Sequence, residues 1–274
     1  MVKASPRYTR YWRTYTPRRA NALIEPPARS QDMPSPSRTA AAHRVDLPPP
    51  FQLVRLREVG DAFRHASEIA ADAGAGTFVY VGRFDLAEFA IVLEPEEPLL
   101  QARRAFYAGM VALREALLAQ APPERPITFA WPDAIHIDGG LIGGGRLGWP
   151  AGALEESAPA WLVFGASIRT FGLGEREAGL HPLATALDQE GFEEAGSDRL
   201  IESFARHLMV AIDAWRANEF GSVMRSYLSH LSVEKGASPS LAGNGDLLIK
   251  WRGQREPDRH DLAAALAVPS WLDP

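Results

Sequence analysis

The sequence predicts an α+β fold with a mainly antiparallel or mixed sheet. One observation is the order of periodic segments: a helix, two strands, a helix, four strands in hairpins, then two helices. That order is not the βαβ alternation of a Rossmann fold. The other is a concentration of glycine in one strand pair, where Gly139, Gly140, Gly143, Gly144, Gly145 and Gly148 fall within ten residues.

Taken along the chain, residues 1–45 are rich in Arg, Pro, Ser and Ala and carry neither helical nor strand period. Runs such as "PPARSQDMPSPSRTAAAHR" bury too little apolar area to offset chain entropy. A disordered basic tail, or a start site placed too early with Met33 as the real beginning, is one reading. An Arg-rich transit peptide is another. A nucleic-acid or membrane arm using Arg7, Arg10, Arg13, Arg18 and Arg19 with Tyr8, Tyr11 and Trp12 is the third. No apolar stretch of secretory type follows the charges. The tail is expected to be dispensable for folding.

After "DLPPPF", Phe63, Ala66, Ile69, Ala70 and Ala73 predict a helix from about Glu58 to Ala73, stopped by Gly74 and Gly76. "TFVYVGRF" and "AEFAIVLEP" read as strands around Asp85. A broad apolar stripe predicts one helix from about Glu97 to Gln120, ended by Pro122 and Pro123. "ITFAW", "AIHID", "LIGGGRLGW" and "WLVFGASIRT" are strands, the middle pair joined by a tight turn at Asp138–Gly140. Helices follow over 198–217 and 219–231. In the first, Ile201, Phe204, Leu208, Ile212 and Trp215 recur at helical spacing. Composition then shifts, and "GDLLIKWRG" predicts a strand of a small β-rich unit over 236–274. The main domain is expected over 49–231.

With 46% hydrophobic and 23% charged residues the chain is ordinarily globular. It has no cysteine, so disulfides, thiolate metal sites and a cysteine nucleophile are excluded. Its seven histidines have no metal-ligand spacing, and no metal site is expected. Net charge is −5; because residues 1–45 hold nine Lys/Arg against Glu25 and Asp32, the remainder stands at −12. An acidic body argues against nucleic acid as the main partner. No apolar stretch is long enough to span a bilayer, so a cytoplasmic protein with no membrane partner is expected.

Glycine inside a strand weakens it, and such density marks close approach of a ligand or of another backbone. A bulged hairpin packed tightly on its neighbours competes with a strand-edge cradle for a carboxylate or phosphate. A P-loop is excluded, since no Gly-Lys-Ser/Thr follows.

"WPDAIHIDGGLIGGGRL" resembles the biotin protein ligase signature, in which K-W-P-N-D-I leads through a turn to G-x-K-I-x-G-I. "WLVFGASIRT", with Gly165, resembles that family's later strand, G-I-G-I-N. The order of helices and strands over about 47–231 agrees. The resemblance to the biotin/lipoate A/B protein ligase family implies a class II synthetase-like mixed sheet with helices, plus a small C-terminal β-rich unit. It also implies attachment of biotin, lipoate or another acid to a carrier-protein lysine through an acyl-adenylate, with ATP and Mg²⁺. A small carboxylic-acid ligand and a biotinyl or lipoyl carrier domain would be the partners.

The departures are as informative. Leu141 stands where the family's lysine binds the acyl carboxylate and the adenylate phosphate. Ala130 replaces the lysine before W-P, the N-D pair is Asp133-Ala134, and Arg169 replaces the closing Asn. The arginine-rich ligand loop has shrunk to Gly82-Arg83-Phe84-Asp85. The only lysines are Lys3, Lys235 and Lys250. Arginine binds carboxylate or phosphate bidentately, so Arg146 would supply the catalytic electrostatics, with Asp133 orienting ATP or Mg²⁺. Arg83, Trp131, Gly143, Gly144, Gly145, Gly165 and Arg169 would contact substrate. Lys250 on its strand is an alternative cation. His136 and Asp138 could pair as acid and base, although a solvent-facing strand edge accounts for them as well. "GFEE" and "SWLDP" carry no chemical reading. Without cysteine, the family's thioester acyltransferase route is closed. A non-catalytic relative that kept the pocket or the carrier-docking surface is the alternative to a ligase. A module using only its surface is a third.

Overall fold

The computed structural model describes residues 45–172, 184–193, 196–216 and 220–272. Contacts gather the described residues into one compact unit. The expected basic tail lies outside the described residues, apart from Val45, which is buried.

Seven strands make the main sheet, in the order β1-β2-β3-β7-β6-β5-β4. They are β1 (Gln52–Leu56), β2 (Thr77–Val81), β3 (Leu86–Leu93), β4 (Ile127–Ala130), β5 (Ala134–Ile137), β6 (Gly140–Gly148) and β7 (Leu162–Arg169). All neighbours pair antiparallel except β1, which runs parallel to β2. The sheet is therefore mixed, as expected. Strand β1 has no counterpart in the sequence reading. It is a five-residue edge strand with mostly solvent-facing side chains, so it lacks the apolar run that marks β2 and β3. The β5–β6 turn is as expected, with Asp138 at φ 49° and Gly139 at φ 85°. The pair carries a register shift between Ile135 and His136.

One face of the sheet is covered by α1 (Ala62–Ala73). It begins four residues later than expected because Asp61 caps it, its carboxylate accepting the Arg64 N–H at 2.8 Å. Ala62, Ala66 and Ala70 pack on Val79, Val81, Ala90, Val92 and Val163; small side chains let the helix lie close to the strands. The other face is covered by α2 (Leu99–Ala102), α3 (Ala105–Leu118), α4 (Ser197–Arg216) and α5 (Phe220–Ser229). The single helix expected over 97–120 is broken at Arg103–Arg104, where the N–H groups of Arg104, Phe106 and Tyr107 bond three residues back. In α3, eleven of fourteen residues are buried, so it is enclosed on nearly all sides. Phe78, Phe89, Phe164 and Phe204 pack between sheet and helices, with Phe89 and Phe204 ring centres 4.6 Å apart.

The C-terminal segment forms a three-stranded antiparallel sheet, β8 (Ala237–Leu241), β9 (Leu247–Trp251) and β10 (Asp258–His260), followed by α6 (Leu262–Leu266). Its β-rich character is as expected. It packs against α3 within the same compact unit: the Tyr107 hydroxyl donates to the Gly245 carbonyl at 2.6 Å. Among the described residues no helix is long and apolar enough to cross a membrane.

Candidate ligand site

Strand register decides which side chains meet. Glu88 on β3, Ser167 on β7 and Gly144 on β6 lie side by side across three strands, and Ala90, Gly165 and Arg146 form the next row. Side chains alternate along a strand, so Glu88, Arg146, Ser167 and Arg169 share the face beneath α1. Two of these, Glu88 and Ser167, were not among the expected site residues.

Arg146 is the most strained group there. Its Cζ lies 4.5 Å from the Phe63 ring centre, and one terminal nitrogen is 3.6 Å from Asp61. Its Nε is buried without a hydrogen-bond partner. Burial pulls the guanidinium pKa below its ordinary value, against the opposing pull of Asp61 and Glu88. A buried donor without a partner costs about 1–3 kcal/mol, which is the condition of a group awaiting an acceptor.

Glu88 faces it, 8% exposed and accepting the first N–H of α1, from Ala62, at 2.9 Å. A lone acid in the apolar run "AEFAIVL" was a legible signal for it. Burial pushes its carboxyl above the ordinary 4.5, with Asp61 adding and the Ala62 amide and Arg146 opposing. An acid whose folded pKa is raised binds more protons in the native state. Its contribution to stability is complete below 4.5 and is lost as pH climbs through the raised value. Glu88→Gln keeps the acceptor and removes the titration. Its melting temperature is expected to fall less than that of the wild type between pH 4.5 and 7, and parallel profiles would contradict this.

Asp133, expected to orient ATP or Mg²⁺, is bound by the C-terminal segment. Its side chain is 1% exposed, and the Ser270 N–H (2.9 Å) and hydroxyl take one carboxylate oxygen each. Burial raises its pKa while the Ser270 bonds oppose the rise. Both its oxygens are engaged by Ser270 in this structure. Among the described residues no group of three or more His, Asp or Glu is placed to hold a metal ion.

The Trp131 indole donates to the Tyr107 hydroxyl at 3.0 Å and faces His260 on β10. Trp149 lies under Arg103, 5.2 Å from its Cζ. Arg83 sits in the β2–β3 loop with its guanidinium doubly bonded to Asp85 at 3.1 and 2.8 Å. That pairing raises the pKa of Arg83 and lowers that of Asp85. Two residues of separation explain why the arginine spends its charge locally. Arg169 donates to the Leu141 carbonyl at 3.4 Å. Lys250 is exposed on β9. Asp138 pairs with Arg125 at 2.8 Å, leaving half-buried His136 with a pKa lowered by burial.

The glycines are needed by the protein's own packing. A Cβ on Gly143 would overlap the Ser167 carbonyl, and one on Gly144 the Asp133 carbonyl and the Trp271 ring. On Gly145 it would stand 2.6 Å from Met110 Sδ, and on Gly165 2.6 Å from the Phe63 ring. The hairpin is tightly packed in this structure, with Phe63 against Gly148 and Gly165 and Trp271 against Gly144. Leu141 is 6% exposed and packs with Ala134 beneath Trp271. Trp271, from a stretch unread in the sequence, therefore packs against this end of the hairpin. An open cavity of about 340 Å³ lies beyond the ends of β1 and β2, lined by Arg55, Leu56, Arg57, Glu58 and Gly82; Arg146 is not part of it.

The sequence model of the biotin/lipoate A/B protein ligase family matches residues 47–229. A biotin protein ligase-like protein of unknown function from Silicibacter sp. TM1040 superposes with a TM-score of 0.70 at 27% identity, over 81% of this chain and 98% of that one. Biotin protein ligase from Aquifex aeolicus superposes with a TM-score of 0.58 at 14% identity, over 77% and 95%. Its complex with biotin and ATP gives 0.56 at 14%, over 76% and 98%. At 14% identity the last two show the fold. No curated protein matches the chain.

Proposed function

Since this chain belongs to the biotin/lipoate A/B protein ligase family, we propose that it binds a small carboxylic acid of the biotin or lipoate class on the face beneath α1. Arg146 is the anionic anchor, and the observation that carries the reading is its buried Nε without a partner. A carboxylate there would satisfy the orphaned donor and neutralise a desolvated charge at once. A bound acid would be the third anion around one guanidinium, beside Glu88 and Asp61, and burial already shifts the Glu88 carboxyl upward, the direction that eases this crowding.

The chain acts in this reading as an acid-binding relative of the ligases. Leu141 supplies no cation and Asp133 is engaged by Ser270. The ligase reaction proper is the second reading, favoured by Arg146: it is the charged group on this face able to take over the missing lysine's electrostatic work. Acid, ATP and a carrier-domain lysine would then be the substrates. The chemistry of activation needs positive charge at the α-phosphate, which a guanidinium can supply without losing a proton.

Calorimetric titration with biotin, lipoate and octanoate tests the first reading. Arg146→Ala is expected to weaken binding of whichever acid binds by about 1.5–3 kcal/mol, roughly ten- to a hundredfold. A thermal melt checks that the variant is folded, since Asp61, Glu88 and the Phe63 ring each lose a contact. Unchanged affinity in a folded variant would return Arg146 to a packing role.

A further inference from the structure

We propose that the open cavity at the ends of β1 and β2 is a phosphate-binding site, with Arg55 and Arg57 as its two anchors and a small phosphate monoester as its ligand. It is separate from the acid-binding face argued above and does not depend on it. Strand register sets the two apart. Arg55 pairs with Tyr80, Tyr80 with Phe89, Phe89 with Ala166 and Ala166 with Gly145. Side chains alternate along a strand, so this row is turned away from the one that carries Arg146. Arg55 stands on the opposite face of the sheet, on an edge strand four places from β6.

Arg55 is held in place. Its Cζ lies 5.6 Å from the Tyr80 ring centre, and that ring, 2% exposed, is a fixed platform. The guanidinium also lies against Gly82, where a Cβ would stand 2.8 Å from Nε and from one terminal nitrogen. Among the described residues neither Arg55 nor Arg57 has an ion pair or hydrogen bond to a carboxylate. The body of the chain nevertheless carries an excess of acids, and Arg64, Arg83, Arg104 and Arg125 each find one. Both cavity arginines are exposed, so a ligand can reach them from solvent. With Leu56, Glu58 and Gly82 they line about 340 Å³, a volume that suits a small ligand. A carboxylate brings two oxygens and one charge, which a single guanidinium satisfies. A phosphate monoester brings three terminal oxygens and about −1.5 to −2 charges at neutral pH, which matches two forked donors. Glu58 is the acid on the lining and opposes such a ligand.

Inorganic phosphate is the probe, titrated into the full chain by calorimetry at low ionic strength, where screening is weak. Arg55→Ala and Arg57→Ala are each expected to weaken its binding about tenfold or more, as loss of a charge-assisted bidentate contact does. Glu58→Gln should strengthen it. Arg64→Ala removes the same charge from an exposed site on α1 and should leave phosphate affinity unchanged. Gly82→Ala keeps both cavity charges but pushes the Arg55 guanidinium off its seat, so it too should weaken binding; attraction by net charge alone would not register it. Thermal melts check that each variant is folded. Acetate, with one charge, should bind more weakly than phosphate. No phosphate binding by wild type, or an affinity indifferent to Arg55→Ala and Arg57→Ala in folded proteins, overturns the site. Binding lost in Arg146→Ala but kept in Arg55→Ala also overturns it, by placing the anion beneath α1. Phosphate binding that needs Arg55 and Arg57, with biotin, lipoate and octanoate all unbound, keeps this site and discards the acid-binding function.

Discussion

Gly143→Ala is expected to lower the melting temperature by about 10 °C or to prevent folding. Two costs fall on one atom. Gly143 has φ 142°, a region that L side chains enter at about 1–3 kcal/mol. A Cβ there would also overlap the backbone carbonyl of Ser167 on the adjoining strand β7. A backbone atom cannot swing aside as a side chain does, and overpacking of this kind adds about 1–3 kcal/mol. For a unit of this size each kcal/mol moves the midpoint by about 2–4 °C. Gly152→Ala is the control: φ is 79° but nothing lies within 4 Å of its Cβ position, so only the first cost applies. Thermal melts followed by circular dichroism compare the two. Equal shifts would show that β6 and β7 can separate there, and the close packing of the hairpin would not hold.

Acyl-adenylate formation by the wild type is expected to be slow or absent. The acid's attack on the α-phosphate develops negative charge, and removing one preorganised stabilising group commonly costs about 10²–10³ in rate. Leu141 lies at the family's lysine position, buried under Trp271, so its side chain brings no charge to that point. Pyrophosphate release is measured with ATP, Mg²⁺ and each acid, for wild type, Arg83→Ala, Arg146→Ala and Leu141→Lys. Leu141→Lys should not reduce whatever rate exists. Fast wild-type turnover abolished by Arg146→Ala would establish the arginine as the lysine's replacement and the protein as a ligase. Rapid turnover indifferent to both arginines but lost in Lys250→Ala would move the chemistry to β9 and refute the site drawn here.

The two results bear on different layers of the molecule. The first asks whether glycine serves backbone packing, the second whether the face so built still does chemistry. A stable face with no turnover is what a retained binding site predicts.

The sequence by itself determined the mixed α+β fold, the positions of β2 to β7 and the two long helices α4 and α5. Those elements announce themselves locally: apolar runs such as "TFVYV", the Asp138–Gly139 turn, the 3.6-residue recurrence of Ile201, Phe204 and Leu208. It also determined what is missing, since the absence of cysteine and the leucine at 141 need no coordinates to read. Only the tertiary structure decided how the site is made. Arg146 meets Glu88 through the register of three strands far apart in sequence, and Asp133 meets Ser270 across 137 residues. Arg83, by contrast, is withdrawn by a neighbour two residues away, a pairing that composition shows but cannot weigh against a distant ligand. A charged side chain carries its type in the sequence. Its partner, its burial and therefore its free charge are set by long-range contacts, and such contacts also seat Trp271, from a stretch with no periodicity, on Gly144.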